Sequence, residues 1–331
     1  MWGQELENTQ GLLKADDSFA LPHFEGFEAV EALAASSQEA GWGDTEYRQL
    51  SRGDLFATSK YQVIDASSII LESASQRLQV VGVSPEHCMT LLIPLPGTRI
   101  RLNCDEFTEN DFFALPPGAE IFSVTPRNAR VVNLHISEEY FEGHAEKLLS
   151  GEKNLFGGRC QAYKNDTLVG ELRRNLIHAL YRQRDTDFDL IFESELVSRL
   201  IQFMASRSGS EYKPERLTYS ARQRALSRAL EFVEEYYFQS LKMTELCNHA
   251  NVSLSTLERI FTREMQVTPV KYLKLRRLHA VRSEIANPQD TRSIAEIATR
   301  NGFTHLGRFS AAYKNQFGVL PKIERRNSVS I

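Results

Sequence analysis

Two sets of residues in the last third of this chain, several with side chains that can hydrogen-bond to DNA bases, occur at helical spacing. The first set follows Ser253 and comprises Ser255, Thr256, Glu258 and Arg259. The second set follows Thr304 and comprises His305, Leu306, Gly307, Arg308, Ser310 and Ala311. An arginine can donate two hydrogen bonds to one guanine, and short side chains contact other base edges. We therefore predict that both sets face the major groove, with Arg259 as the best candidate for a guanine contact.

The two sets belong to two copies of one pattern, about Met243–Pro269 and about Ser293–Pro321. Matching residues are 51 positions apart before a central turn and 52 apart after it. The matched pairs are Leu246 with Ile297, Val252 with Phe303, Leu257 with Phe309, and Phe261 with Tyr313. Repetition of a whole supersecondary unit is stronger support than either copy alone. The pattern predicts two helix-turn-helix units, whereas one copy alone would fit an ordinary helical hairpin equally well.

The turns of both copies carry suitable residues. A helix-turn-helix needs a positive φ at its turn, and Asn251 and Gly302 adopt that conformation most readily. Ser253 and Thr304 follow, and each is predicted to be the N-cap of the second helix.

A helix over Val270–Ala286 is predicted to connect the two units. At this length it would be about 25 Å long, which can hold two recognition helices one DNA turn, roughly 34 Å, apart. Basic residues near the turns and on this helix are predicted to contact phosphates: Arg263, Lys271, Lys274, Arg276, Arg300 and Lys314.

The second copy carries the most specific series of residues. The series is Ile294-Ala295-Glu296-Ile297-Ala298, Gly302-Phe303, Phe309-Ser310, Tyr313-Lys314, Phe317-Gly318 and Pro321. With Leu246, Ser253, Leu257, Arg259 and Phe261 in the first copy, it resembles the DNA-binding domain of AraC/XylS transcription regulators over about Arg222–Arg326. Two residues depart from the family pattern, Gln266 where a glycine is usual and Ile323 near the end. Two short runs, 277–282 and 305–309, resemble the ethanolamine-utilisation regulator subgroup.

The charge is divided between the two parts of the chain. Residues 218–331 contain 18 Lys and Arg against 10 Asp and Glu, which leaves 21 against 33 for residues 1–217. A basic domain suits phosphate binding, whereas an acidic domain is repelled by DNA. The chain contains neither a long apolar run nor a signal-peptide pattern, so we expect a cytoplasmic protein at the nucleoid without membrane contact. The scattered Cys88, Cys104, Cys160 and Cys247 are expected to be reduced.

The sequence pattern of the N-terminal half predicts a β-barrel. Residues 1–47 are predicted to be partly disordered, with a short helix near Gly26–Ser36. Short strand patterns separated by turns then indicate an antiparallel sandwich or barrel. The strands are predicted at Tyr61–Asp65, Ser68–Ser73, Leu78–Val83, Met89–Leu95, Thr98–Leu102, Asp111–Leu115, Glu120–Val124 and Arg130–His135. The run Asn110–Gly118 resembles a turn of the cupin-like sensor domains that many of these regulators carry.

Catalytic patterns are missing from the barrel sequence. Cupin metal sites need clustered ligands, whereas His87, His135, His144 and His178 are isolated. No nucleophile elbow, P-loop or dinucleotide fingerprint occurs. We therefore expect no enzyme activity, no metal and no cofactor, and a small effector of unknown identity inside the barrel.

Helices are predicted after the barrel at Glu138–Ser150, Asp166–Gln183 and Asp187–Ser206. The last has an apolar stripe, which fits either packing against the barrel or a homodimer interface. The stripe consists of Leu190, Phe192, Leu196, Val197, Leu200, Ile201 and Met204.

The predicted fold is a two-domain α+β chain. A cupin-like jelly-roll barrel with following helices spans 48–206, a linker spans 207–217, and an all-α double helix-turn-helix domain spans 218–331. The predicted function is sequence-specific regulation of transcription, and the resemblance implies promoter DNA and RNA polymerase as partners. Two alternatives remain, a cupin-type metal enzyme fused to a DNA-binding domain and a non-specific DNA-binding adaptor. Activation and repression are not distinguished by the sequence.

Overall fold

The computed structural model describes residues 24–103, 105–149, 160–164, 166–182, 186–208 and 221–329. A β-rich domain with covering helices precedes a domain made of helices, so the predicted fold class is confirmed. Most of the predicted linker, 207–217, lies outside the described residues.

The strands of the first domain form two antiparallel sheets, a first sheet in the order β1-β3-β4-β11-β6-β9-β12 and a second in the order β2-β5-β10-β7-β8. From β4 to β11 the strands divide between the sheets as in a jelly roll, with β4-β11-β6-β9 facing β5-β10-β7-β8. The strands are β1 Phe24–Glu25, β2 Gly43–Gln49, β3 Phe56–Ile64, β4 Ser67–Ala74, β5 Leu78–Val83, β6 Cys88–Pro94, β7 Ile100–Leu102, β8 Asp105–Phe107, β9 Asp111–Leu115, β10 Glu120–Val124, β11 Ala129–Ser137 and β12 Gln161–Lys164.

Alternation along β11 shows how the first sheet separates two environments. Side chains of neighbouring strand residues point to opposite faces. Val132 and Leu134 belong to the apolar core under the covering helices. Val131 belongs to the core between the sheets, and Asn133 and His135 share its face. Polar groups therefore enter the barrel interior from this strand.

Helices cover the outer face of the first sheet. They are α2 Glu138–Leu148, α3 Asp166–Tyr181 and α4 Thr186–Ser208, whereas α1 Gly26–Glu39 precedes β2. Six of the seven stripe residues of α4 are buried in the core that α4 shares with this sheet, and Leu190 is 43% exposed. The packing interpretation of the stripe is therefore confirmed, and the homodimer stays a prediction.

The second domain contains α5 Ala221–Tyr236, α6 Met243–Ala250, α7 Leu254–Met265, α8 Pro269–Ala286, α9 Ile294–Arg300, α10 Leu306–Phe317 and α11 Pro321–Val329. It has two apolar cores. Tyr272, Leu273 and Leu275 of α8 belong to the first core, and Leu278 and Val281 belong to the second. The α8 helix thus connects the two helix-turn-helix units by packing into both.

The outer side of the second sheet packs on this helical domain, and polar contacts surround the apolar part of the interface. Arg48 of β2 forms an ion pair with Glu234 of α5 and donates to the hydroxyl oxygen of Tyr272 at 3.2 Å. Arg101 of β7 pairs with Glu264 of α7 at 3.0 Å. The first unit therefore contacts the barrel domain through Glu264 of α7, and the connecting helix contacts it through Tyr272.

Several elements differ from the sequence predictions. Residues 24–47 form β1, α1 and most of β2, so the barrel begins before residue 48. The helix predicted near Gly26–Ser36 is confirmed as α1. The sequence predictions missed β1, β2, β8 and β12, which are short or polar, and the helices α5 and α11, which flank the predicted repeat. No helix in the described ranges is long and apolar enough to cross a membrane.

Candidate DNA-binding surface

The first helix-turn-helix unit consists of α6, a turn at Asn251 and α7. Asn251 is left-handed with φ 54° and ends α6. Ser253 is the N-cap of α7, and its hydroxyl accepts a hydrogen bond from the backbone N–H of Thr256 at 3.3 Å. The predicted turn and cap of this copy are therefore confirmed.

The second unit consists of α9, a turn at Gly302 and α10, and its turn is one residue longer. Gly302 has φ 83° as predicted. The N-cap of α10 is His305, without a side-chain cap hydrogen bond, so the prediction of Thr304 as the N-cap is wrong. The additional residue lies between Gly302 and the helix start, which explains why the repeat spacing changes from 51 to 52 at this point.

Gln266 ends the first recognition helix α7 with φ 54°. The family pattern has a glycine at this position, because a left-handed residue without Cβ costs no steric energy. The chain therefore keeps the helix end of the family with a residue that is strained there.

Most of the predicted base-contacting residues are exposed. In the first set Ser255, Glu258 and Arg259 are exposed and Thr256 is half-buried. In the second set only Ser310 is half-buried, and the exposed members are His305, Leu306, Gly307, Arg308 and Ala311. Within the described part of the chain, no salt bridge is formed by Arg259 or Arg308. Both guanidinium groups are thus available to an acceptor outside the protein.

The six predicted phosphate contacts lie in different environments. Lys274, Arg300 and Lys314 are exposed, and Arg263 is 56% exposed with its side chain 3.5 Å from Glu264.

Two of the six predicted phosphate contacts, Arg276 and Lys271, lie against other parts of the protein. Arg276 pairs with Glu234 at 2.7 Å and lies 4.0 Å above the Tyr237 ring, so it connects α8 with α5. Lys271 is half-buried near Arg52 and Arg77 of the barrel domain. Desolvation, followed by the charges of these two arginines, lowers the pKa of Lys271.

Arg277 of α8 holds the turn of the second unit to the loop after α5. Its Nε donates to the backbone oxygen of Tyr237 at 2.6 Å, and its Nη2 donates to that of Gln239 at 2.7 Å. Its Nη1 donates to the oxygen of Gly302 at 3.3 Å. Sequence reasoning found no role for Arg277, because these partners are backbone oxygens that leave no trace in residue types.

Arg282 of α8 is a charged residue that is only 2% exposed. It pairs with Glu324 of α11 at 2.6 Å and lies 4.3 Å from the Phe317 ring centre. Tyr313 donates to the same carboxylate. This buried pair attaches α11, the helix that sequence reasoning missed, to the second unit.

His135 inside the barrel has structural partners. Its Nε2 accepts from the indole of Trp42 at 3.2 Å, and its Nδ1 is 2.8 Å from the Thr90 hydroxyl. Desolvation lowers the pKa of His135 to about 3, so the ring is neutral at physiological pH. Among the described residues, no three His, Cys, Asp or Glu side chains are grouped as metal ligands. Cys88, Cys160 and Cys247 are free thiols, and Cys104 lies outside the described residues.

Two helix-turn-helix units on one connecting helix define a class of DNA-binding domain, and comparison with known proteins agrees. A family model described as "Helix-turn-helix domain" matches residues 246–327. XylDLEGF operon transcriptional activator 2 of Pseudomonas putida is 38% identical over 95 residues, 28% of this chain and 60% of the relative. The probable thc operon regulatory protein of Rhodococcus erythropolis is 27% identical over 168 residues, 49% of this chain and 50% of the relative. The matched regions thus span less than two thirds of these relatives.

Solved structures with similarity include a regulator with an AraC-type DNA-binding domain from Chromobacterium violaceum. It is 29% identical, and the match covers 32% of this chain and 93% of that chain with a TM-score of 0.31. ToxT from Vibrio cholerae O395 is 12% identical, with 87% and 99% covered and a TM-score of 0.30. In sequence, the C-terminal domain of this chain is thus similar to the helix-turn-helix domains of transcription regulators, among them the XylDLEGF operon activators.

Proposed function

We propose that the whole chain is a sequence-specific transcription regulator that binds promoter DNA through both helix-turn-helix units. The observation that carries this proposal is the pair of units, each with an exposed recognition helix, held by α8 through both apolar cores. A general DNA-binding protein needs only basic charge, whereas two recognition helices joined by one packed helix suit two segments of major groove on one face of the duplex.

The base contacts in this proposal come from the exposed faces of α7 and α10. Arg259 and Arg308 are exposed guanidinium groups with two parallel donors, which suits guanine. Ser255, Glu258 and His305 add shorter polar contacts, and Leu306 and Ala311 offer apolar contacts of the kind that thymine methyl groups accept. Thr256 and Ser310 stay in the predicted set as half-buried members.

For phosphate contact we propose the exposed Arg263, Lys274, Arg300 and Lys314. We assign Arg276 and Lys271 to contacts within the protein, because the first is paired with Glu234 and the second lies beside barrel arginines.

We infer the remaining partners from the proposed role in transcription. Promoter DNA implies RNA polymerase as a further partner and a cytoplasmic location at the nucleoid. The relatives named as transcriptional activators favour activation. A small effector would bind the barrel, and a homodimer would place two double units on a repeated site.

Selection from genomic DNA tests the proposal. The full chain is mixed with sheared genomic fragments at physiological salt, and the bound fraction is sequenced. We expect a motif with two specified segments about one DNA turn apart. Equal recovery of all fragments would instead support the non-specific adaptor. Elemental analysis of the same preparation tests the alternative of a metal enzyme, which requires stoichiometric metal.

A further inference from the structure

A partly open cavity of about 50 Å³ lies between the two sheets of the barrel. Most of its wall is apolar, with Leu92, Ile100 and Ile121 among the lining residues. Six polar side chains also line it, namely Thr45, Tyr47, Glu72, Ser123, Thr125 and Asn133. A cavity needs about 10–15 Å³ for each water molecule, so this one has room for a molecule of only a few heavy atoms.

Asn133 contributes an unused hydrogen-bond acceptor to this cavity. Its side chain is 4% exposed, and its Oδ1 has no hydrogen-bond partner among the described residues. Buried polar atoms are nearly always paired, and an unpaired acceptor is unfavourable. An unpaired amide oxygen on a cavity wall is therefore suited to a donor from a molecule inside the cavity.

Glu72 contributes a carboxyl group on the same wall. It lies on β4 between Ile70 and Ala74, which face the interior. The hydroxyl of Tyr47 donates to its Oε1 at 2.9 Å, and the Ser37 hydroxyl lies 2.7 Å from that of Tyr47. In the described ranges no Lys, Arg or His lies within salt-bridge distance of Glu72. Desolvation raises the pKa of Glu72 to about 7, because no cation offsets its charge.

We propose that this cavity is the effector site and that it takes a small protonated amine, with Glu72 as the counter-charge and the Asn133 amide oxygen as a second acceptor. The proposal rests on the proposed regulatory function and names the ligand class of its sensor. Carboxylate ligands are disfavoured, because they would place a second negative charge beside Glu72 and leave the Asn133 amide oxygen without a donor.

The cavity is connected to the DNA-binding domain through β2. Tyr47 faces the cavity, and its neighbour Arg48 points to the other side of the strand, where it binds Glu234 and Tyr272. An amine bound to the Glu72 carboxylate would share that group with the Tyr47 hydroxyl, which donates to its Oε1. Occupation of the cavity thus acts on the strand that holds the domain interface.

Calorimetric titration of the full chain, without DNA, tests the site. The probes are linear primary amines of two to five heavy atoms, with carboxylates and alcohols of equal length as controls. We expect saturable binding of at least one amine and none of the carboxylates. Affinity should rise between pH 6 and pH 8, because Glu72 ionises in that range while the amine stays protonated.

Two variants and a control define the outcome. Glu72→Gln should weaken amine binding at least tenfold and remove its pH dependence, and Asn133→Ala should weaken it several-fold. Arg99→Ala, on the barrel surface with a 71% exposed side chain, should bind as the parent does. The proposal is overturned if no amine binds, if carboxylates or alcohols bind as tightly as the amines, or if folded Glu72→Gln and Asn133→Ala bind like the parent.

DNA binding is measured separately on the fragments selected above. Loss of amine binding with intact DNA binding contradicts the cavity assignment only. Amine binding without any sequence preference contradicts the regulatory function. If the chain binds the amine and also prefers a DNA sequence, we expect the bound amine to change DNA affinity by about 5- to 150-fold, the usual range of coupling between two sites.

Discussion

At the scale of single residues, the two recognition helices differ in what they present. Arg259 stands in the middle of α7, whereas the corresponding position of α10, 52 residues further on, is Ala311. The arginine of the second helix, Arg308, lies one turn earlier. Base recognition therefore depends on different positions in the two units.

Replacing Arg259 with alanine is expected to relax specificity at one base pair. A bidentate arginine contact to guanine is worth about 1–3 kcal/mol of discrimination. Selection of binding sites by the Arg259→Ala chain should give a motif that is degenerate at one position, while Arg99→Ala should select the parental motif. An unchanged motif for Arg259→Ala would exclude this residue as a base contact.

Replacing Gln266 with glycine is expected to stabilise the protein. Gln266 holds φ 54° at the end of α7, and a left-handed non-glycine residue costs about 1 kcal/mol. Thermal unfolding of Gln266→Gly should thus occur at higher temperature than that of the parent. Gln266→Ala serves as the control, since alanine retains the Cβ and should give little change. A lower melting temperature for the glycine variant would show that the Gln266 side chain makes a stabilising contact.

At the scale of elements, α8 organises the DNA-binding domain. It contributes apolar residues to both cores, and its Arg277 holds the second turn to the loop after α5. The exposed basic residues are distributed over α7, α8, α9 and α10, so phosphate contact is shared among elements.

Alanine variants of Arg263, Lys274, Arg300 and Lys314 are expected to weaken binding to all DNA sequences alike. Each lost phosphate contact should flatten the dependence of log affinity on log salt by about one unit. The measurement is fluorescence anisotropy with the selected site and a scrambled site over a salt series. Lys271→Ala and Arg276→Ala provide the contrast, because their slopes should stay parental. Unchanged slopes for all four exposed residues would exclude the proposed set.

Elements with regular apolar spacing were predictable from the sequence, and irregular ones were not. The bounds of β5, β9 and β10 were predicted to the residue, because each is a short apolar run between turn residues. The β2 strand was missed because its core contacts depend on a tertiary partner, β5, that no local pattern reveals. The same reason applies to the DNA-binding surface. The exposure of Arg259 was predictable because it follows from helix phase. The pairing of Arg276 with Glu234 was not predictable from a local pattern, because it joins residues 42 positions apart.

At the scale of the whole molecule, the barrel and the DNA-binding domain are held together by polar contacts around a small apolar patch. Gln316 of α10 donates to the backbone oxygens of Gln49 and Ser51 at 3.1 and 2.9 Å. The Nε2 atom of His279 of α8 is hydrogen-bonded to the backbone oxygen of Gln49 at 2.9 Å. The end of β2 thus contacts both the connecting helix and the second recognition helix.

A fragment from Thr218 onward is expected to fold, to prefer the same DNA site with weaker affinity, and to be insensitive to the amine. Its two apolar cores are formed almost entirely by its own residues. The comparison is between fragment and full chain in anisotropy titrations with and without amine. A folded fragment that has no site preference, or that still responds to the amine, would contradict a separable sensor.

Acidification is expected to weaken the domain interface through His279. Desolvation is the largest cause that lowers its pKa, to about 3. Since the ordinary value is about 6.5, its stabilising contribution is present above pH 6.5 and is lost as the pH falls towards 3. The loss is at most about 1.4 kcal/mol per pH unit.

The measurement is the free energy of unfolding of parent and His279→Gln at pH 7.5 and pH 5.5. The parent should lose more stability than the variant between these pH values. His135 and Glu72 titrate in both proteins, so their effects cancel in the difference. Equal losses would show that His279 is not neutral at the interface.

The different positions of the arginines on the two recognition helices have a consequence for the DNA sequence itself. The additional residue lies in the second turn, outside both helices, so α7 and α10 still align residue for residue at a spacing of 52. With α7 and α10 aligned on their first residues, Arg308 corresponds to Thr256, three residues before Arg259. Three residues are about 4.5 Å along a helix, more than one base-pair step. The two half-sites would therefore differ in sequence, so that the chain would bind its operator in one orientation.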